Sequence, residues 1–212
     1  MNRYDQGRPD SDQYEPGSRR RVLRNFRGIT RVREAEAIET ELLALAYGDS
    51  LKWMDTTTRI NTELIKRMHR MWLEALYPMA GKFREVDLSK SGFTFCHALY
   101  IPNQMARFEV EELASCTPCE GDLNTIARKI ATVHAELLMI HPFREGNGRL
   151  ARWLADLMSL QAGFPAPYYD LTGARRQIYF AAVRCGFLGD TTALTELFAS
   201  WIERASQRYP LT

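Results

Sequence analysis

Residues 141–152 read His-Pro-Phe-Arg-Glu-Gly-Asn-Gly-Arg-Leu-Ala-Arg. They separate two apolar stripes of helical spacing. Ile126, Ile130, Val133, Leu137 and Ile140 precede them, and Leu150, Leu154, Leu157 and Met158 follow. Pro142 disfavours the α conformation at His141, so the first helix is expected to end there. Gly146 and Gly148 permit positive φ and a close approach of ligand to backbone. The second helix is expected to start near Gly148. Its first amides lack intrahelical acceptors, which makes the turn an anion site, above all for phosphate. Arg149 and Arg152 are three apart, so they share one helix face beside that N-terminus, where guanidinium groups suit a polyphosphate. Beside phosphates, the Glu145 carboxylate suits Mg²⁺, which takes one or two protein oxygens and shares its shell with phosphate oxygens. His141 has an ordinary pKa near neutrality and is placed to accept a proton from an incoming hydroxyl. Base, metal carboxylate, phosphate nest and arginine pair together describe a nucleotide-dependent transfer site.

Outward from this segment the chain reads as helices. Thr30 is placed to cap a helix with Val32, Ala35, Ile38, Leu42 and Leu45 inward. Thr56, Thr57 and Thr58 offer a cap for a second, with Ile60, Leu64, Met68, Met71 and Leu76 inward, ending near Pro78. Residues 83–88 alternate like a short strand, residues 89–92 like a turn, and residues 93–101 like a returning strand. Pro102 and Asn103 open a helix to about Ala114, and Asp122 or Asn124 caps the one that leads to His141. Gly163, Pro165 and Pro167 stop the helix after the motif. Two more begin near Ala174 and Thr191. The expectation is an all-α fold, mainly a helical bundle, with one small β-hairpin. Residues 1–18 lack an apolar period and are expected as a flexible tail. Residues 19–57 are expected to hold a basic segment and an N-terminal helix, and residues 58–212 the core.

Composition narrows the class. The 212 residues are 45% hydrophobic and 25% charged, which excludes a disordered chain, a collagen-like chain and a disulfide miniprotein. No run approaches the ~18 apolar residues of a membrane span. The polar first residues do not make a secretory signal, so a cytoplasmic protein without a membrane partner is expected. Net charge is +2, with 28 Lys and Arg against 26 Asp and Glu, so there is no global nucleic-acid footprint. Arg19, Arg20, Arg21, Arg24 and Arg27 form a local basic run, read first as a solvated segment. Cys116 and Cys119 make a lone C-x-x-C without the second pair of a zinc site, so reduced thiols are expected. His134 reads as a packed helix residue.

The segment resembles the motif of the Fic family, H-x-F-x-[DE]-G-N-G-R-x-x-R, which His141 to Arg152 match at every specified position. Ala80-Gly81-Lys82-Phe83-Arg84 resembles the family's approach to its hairpin flap, and Tyr100-Ile101-Pro102 its exit. The resemblance covers about residues 58–185. It implies the Fic fold, a bacterial regulator or toxin, and transfer of AMP from ATP to a Tyr, Thr or Ser hydroxyl of a target protein. By that resemblance His141 deprotonates the hydroxyl and Glu145 holds Mg²⁺ between the α- and β-phosphates. Gly146, Asn147 and Gly148 hold the phosphates, Arg149 assists, and Arg152 meets the γ-phosphate. Phe143 is implied as a buried anchor.

The hairpin, roughly residues 91–98 with Phe93, Thr94 and Phe95, is implied as a flap that docks the target as an added strand. Phe93 and Phe95 either clamp the modified residue or adenine, or simply pack the hairpin. The family's inhibitory pattern [ST]-x-x-x-E-[GN] is not met in full. Residues 30–34 fit through Glu34, but Ala35 follows, and residues 192–196 fit through Glu196, but Leu197 follows. An internal brake at Glu34, a small antitoxin supplying the glutamate, and no inhibition all stay open. The intact Gly-Asn-Gly separates the chain from phosphorylating Doc-type relatives. Another nucleotide donor, removal of AMP, and a nucleotide-binding interaction module without transfer also stay open.

Overall fold

The computed structural model describes residues 13–90 and 92–208. Helices α1 (Val32–Ser50) and α2 (Thr62–Leu73) pack against each other and lead to a two-stranded antiparallel hairpin. In it β1 (Ser89–Lys90) pairs with β2 (Phe93–Thr94), with Ser89 opposite Thr94 and Lys90 opposite Phe93. A 3-10 turn (Ala98–Tyr100) opens α3 (Ile101–Phe108), which runs through a π-helical turn (Glu109–Leu113) into the single turn α4 (Ala114–Cys116). Helix α5 (Leu123–Ile140) is the axis of the bundle. It packs against α6 (Asn147–Gln161), α7 (Gly173–Gly186), α8 (Thr192–Arg208) and α3. Its stripe of Ile126, Ile130, Val133, Leu137 and Ile140 is fully buried, as a central helix requires. The mainly helical fold with one small hairpin is the one expected.

Several local features differ from the expectations. The residue at the α1 N-cap is Arg31, without a side-chain bond, instead of Thr30. The α2 cap is Asn61, whose side chain accepts from the Leu64 amide at 2.8 Å. Thr57 and Thr58 bond Asp55 instead, a local competition that short hydroxyl side chains favour. Of the residues expected inward on α1, Val32, Ala35, Ile38 and Leu42 pack on the core, whereas Leu45 is 68% exposed and Glu39, Ala46 and Ser50 are buried beside them. Residues 83–88 form no strand. The Arg84 amide donates to the Pro142 carbonyl at 2.9 Å, and the Cys96 amide to that of Met139 at 3.3 Å. At Arg84 this segment is thus bonded to the turn beyond α5, and its main chain meets the returning arm at Leu88, whose carbonyl accepts from the Phe95 amide at 3.0 Å.

The expected tail of residues 1–18 is corrected in part. Residues 1–12 lie outside the described residues, but 13–18 belong to the fold. Tyr14 bridges Leu23, the Glu15 amide donates to the Val22 carbonyl at 2.9 Å, and the Asn25 amide donates to Glu15 Oε2 at 3.1 Å. The strap has apolar anchors in Tyr14, Val22 and Ile29, all buried, though they follow no helical or strand period. Arg19, Arg20, Arg21, Arg24 and Arg27 are exposed upon it. Cys116 and Cys119 are buried free thiols, and burial pushes the Cys119 pKa up to about 11. Among the described residues no helix is long and apolar enough to cross a membrane.

Candidate active site

Helix α5 ends on His141, whose φ of +52° lies in the left-handed region, an uncommon place for a residue with a Cβ. Arg84 holds it there. Its Nε donates to the His141 carbonyl at 2.7 Å, its Nη1 to that of Val86 at 2.6 Å, and its Nη2 to those of Cys96 and Ile140. The side chain is buried and satisfies carbonyls at a helix C-terminus, where the dipole favours a cation. The His141 Nδ1–H donates to the Leu138 carbonyl at 3.0 Å. That fixes the neutral tautomer with a basic Nε2. The imidazole stacks on Phe95 at 3.7 Å. Burial first, then the charges of Arg84 and Lys90, push its pKa down to about 3, so the ring is neutral at physiological pH.

The turn closes on itself through Asn147. Its Oδ1 accepts from the Phe143 amide at 2.9 Å, and its Nδ2 donates to the Phe143 carbonyl at 2.7 Å. Phe143 is fully buried and stacks on His69 at 3.9 Å. His69 Nδ1 accepts from the Gly81 amide at 2.8 Å, and its Nε2–H donates to the Glu145 carbonyl at 3.1 Å. Gly146 has φ +85°, and a Cβ there would lie 2.7 Å from the Trp72 ring, so glycine is required. At Gly148 a Cβ would meet only Arg152 Nη1 at 3.8 Å, so protein packing does not require glycine there. Asn147 and Gly148 open α6, and such amides have no intrahelical acceptors. Glu145 Oε1 accepts from the Gly146 amide at 2.9 Å. Arg144, at an unspecified motif position, is buried. It donates to Gln13 Oε1 at 2.8 Å and to the Tyr14 hydroxyl at 3.0 Å, so the N-terminal strap supports the turn from behind.

The two motif arginines take different partners within the protein. Arg149 Nη2 lies 2.6 Å from Glu39 Oε2 and 3.4 Å from Glu145 Oε1, and the guanidinium sits 4.6 Å over the Trp72 ring. The charge of Arg152 acts on Tyr179 of α7, opposing the rise in its pKa that burial causes, and the Tyr179 hydroxyl donates to His134 Nε2 at 2.8 Å. Arg149 therefore faces α1 and α2, while Arg152 faces α7. The divergence follows from a carboxylate on α1 that the spacing within α6 could not reveal. Glu34 is exposed and makes no ion pair or hydrogen bond among the described residues. The α1 carboxylate that reaches the motif is Glu39, which is 2% exposed and also accepts from the Tyr77 hydroxyl at 2.6 Å.

The hairpin residues separate as well. Phe95 lies on His141, and Phe93 packs against Phe95 at 5.4 Å and Phe187 at 4.6 Å. Thr94 is exposed. An open groove of about 890 Å³ runs beside the hairpin, lined by Arg84, Glu85, Asp87, His97 and Leu99 among others. Among the described residues no three His, Cys, Asp or Glu side chains converge as a metal cage. A single carboxylate beside an anion nest is instead the donor set for Mg²⁺ shared with substrate phosphates, and Glu145 fits it.

Residues 59–159 match the Fic/DOC family. The chain is 32% identical over 155 residues to a protein adenylyltransferase fic-1 of Caenorhabditis briggsae, covering 71% of this chain and 29% of that protein. It is 26% identical over 145 residues to a probable protein adenylyltransferase Fic of Escherichia coli K12, covering 68% of this chain and 70% of that one. In structure it is similar to the BepC protein of Bartonella tribocorum, solved with bound AMPPNP. There the TM-score is 0.67 and the identity 18%, over 84% of this chain and 91% of that one. Likeness at that identity speaks for the fold. The helical architecture, the turn at 141–152 and these matches together place residues 59–159 of the chain in the Fic/DOC family.

Proposed function

We propose that the chain is a protein adenylyltransferase that moves AMP from ATP to a hydroxyl side chain of a target protein. The observation that carries this reading is the neutral His141 imidazole set one turn away from the glycine-bearing start of α6. His141 Nε2 takes the proton of the target hydroxyl. The hydroxyl oxygen then attacks the α-phosphorus, the bond from that phosphorus to the bridging oxygen breaks, and pyrophosphate leaves. Positioning and charge stabilisation carry most of such a transfer. The Asn147 and Gly148 amides hold phosphate oxygens, with the turn kept rigid by the Asn147–Phe143 clasp. Arg152 meets the terminal phosphate. Glu145 would hold Mg²⁺, which would supply charge neutralisation to the bound phosphates.

The names of the two relatives support the reaction, and the ATP analogue bound to BepC supports ATP as the donor. The edge of the hairpin is where an extended target segment adds as a strand. Phe95, stacked on one face of the imidazole, fixes the ring plane. A small antitoxin would act on this same site by presenting a glutamate to Arg152.

The test is label transfer in a lysate with Mg²⁺, using ATP labelled at the α- or the γ-phosphate, with wild type beside His141→Ala. Bands labelled only from the α-position, and lost in His141→Ala, are expected. Label from the γ-position would overturn the reading in favour of phosphoryl transfer. ATP bound without any label transferred would favour an interaction module.

A further inference from the structure

We infer that Glu39 is a positioning residue for Glu145: by holding Arg149 against α1, it keeps the guanidinium from closing on the carboxylate that takes the cation. The inference rests on the reading of Glu145 as the Mg²⁺ ligand. Glu39 lies on α1, outside the 59–159 span that matches the family.

Arg149 stands between two carboxylates and is shared unequally. The contact to Glu39 is 2.6 Å, a short charge-assisted bond, whereas that to Glu145 is 3.4 Å. A guanidinium readily closes on a carboxylate with two parallel bonds, and in that position it would compete with a cation for the same oxygens. What prevents this is the fixation of Glu39. Its Oε1 accepts from the Tyr77 hydroxyl at 2.6 Å, and its main-chain carbonyl accepts from Trp72 Nε1 at 2.7 Å. The Trp72 ring in turn lies under the Arg149 guanidinium. A buried carboxylate needs a counter-charge, so Glu39 and Arg149 hold each other. Side-chain exposure is 3% at Glu39 and 12% at Glu145, so the outer carboxylate is the more accessible of the two. Glu39 cannot itself replace Glu145 as ligand without releasing Arg149.

The test measures cation binding directly, with Mn²⁺ as the probe and a non-hydrolysable ATP analogue present at saturation. Bound Mn²⁺ is counted by electron paramagnetic resonance, and each variant is checked by thermal melting. Glu39→Gln is expected to weaken Mn²⁺ binding about tenfold, the size usual for loss of a partner behind a metal ligand. Tyr77→Phe, which removes one bond to Glu39, is expected to weaken it less. Glu41→Gln, on an exposed position of the same helix, is expected to leave it unchanged. The deciding variant is Glu39→Gln combined with Arg149→Met. With no guanidinium to close on Glu145, Mn²⁺ affinity is expected to return towards the wild-type value. A folded Glu39→Gln that binds Mn²⁺ like wild type would overturn the inference, as would a double variant as weak as the single one. Wild type that binds the nucleotide but no Mn²⁺ would instead remove the reading of Glu145, and the inference with it.

Discussion

Gly146 and Gly148 look alike in the motif but answer to different constraints. Gly146 sits at φ +85° with its α-hydrogen against Trp72, whereas Gly148 has ordinary space around it. Gly146→Ala is expected to destabilise the fold by about 1–3 kcal/mol through overpacking and backbone strain. Gly148→Ala is expected to stay within about 0.5 kcal/mol of wild type and to weaken binding of an ATP analogue. Denaturant unfolding and analogue titration check both, and a Gly148→Ala as unstable as Gly146→Ala would contradict the distinction. Residues of the turn were legible in the sequence because their chemistry is local. Pro142, Glu145 and the two glycines state their conformations and charges within a few positions. Their partners were not legible. Arg149 meets Glu39 from 110 positions away, Glu145 meets His69 from 76, and His141 meets Arg84 from 57. The one available hint was Glu39 itself, at an inward register of α1 that a solvated helix would fill with an apolar residue.

Among the elements, long apolar periods mark their helices in the sequence, and short elements leave no such mark. The α5 stripe is continuous, so its burial and its end at Pro142 followed directly. On α1 the apolar period marks the core face at Val32, Ala35, Ile38 and Leu42, but it extends wrongly to the exposed Leu45 and does not mark the buried small and polar residues Glu39, Ala46 and Ser50. The hairpin has only two residues in each strand, too few for an alternation to mark its limits. Its placement over His141 comes from main-chain bonds to the end of α5. Phe95 thereby becomes the cover of the imidazole. Phe95→Ala lets water reach the ring, and since desolvation is the largest cause of the lowered pKa, the His141 pKa is expected to rise from about 3 towards 6.5. An NMR titration of the His141 ring checks this, and a midpoint still below about 4 would show that Phe95 is not the cover.

Among the described residues three histidines are buried and neutral. Burial pushes His69 down to about 4, His134 to about 3 and His141 to about 3. Their unfolded values lie near 6.5, so the unfolded chain takes up protons first as pH falls below that value. Each histidine then removes up to about 1.4 kcal/mol of stability per pH unit until its folded pKa is reached. Asp156, raised by burial to about 7, acts in the opposite sense. It contributes stability below its unfolded pKa and loses that contribution as pH rises towards 7. Glu136, also raised by burial, adds to this opposition. Three histidines outweigh two carboxylates, so unfolding free energy is expected to fall from about pH 6.5 to about pH 4.5. Denaturant titrations across that range measure it, and stability constant or rising on acidification would contradict the assignment of buried neutral rings. At this scale the sequence disclosed a helical bundle around one turn. It did not disclose the strap of residues 13–29, whose few anchors follow no period.

Transfer of an adenylyl group at the turn 141–152, with His141 as base, is tested by mass. A target protein isolated from a labelled band is incubated with ATP, Mg²⁺ and either wild type or His141→Ala, and its modified peptide is weighed and sequenced. The expected result is one adenylyl group on a Tyr, Thr or Ser hydroxyl, with pyrophosphate released in equal amount, and no adduct with His141→Ala. A phosphoryl adduct, or an adenylyl adduct formed equally well by His141→Ala, would contradict it.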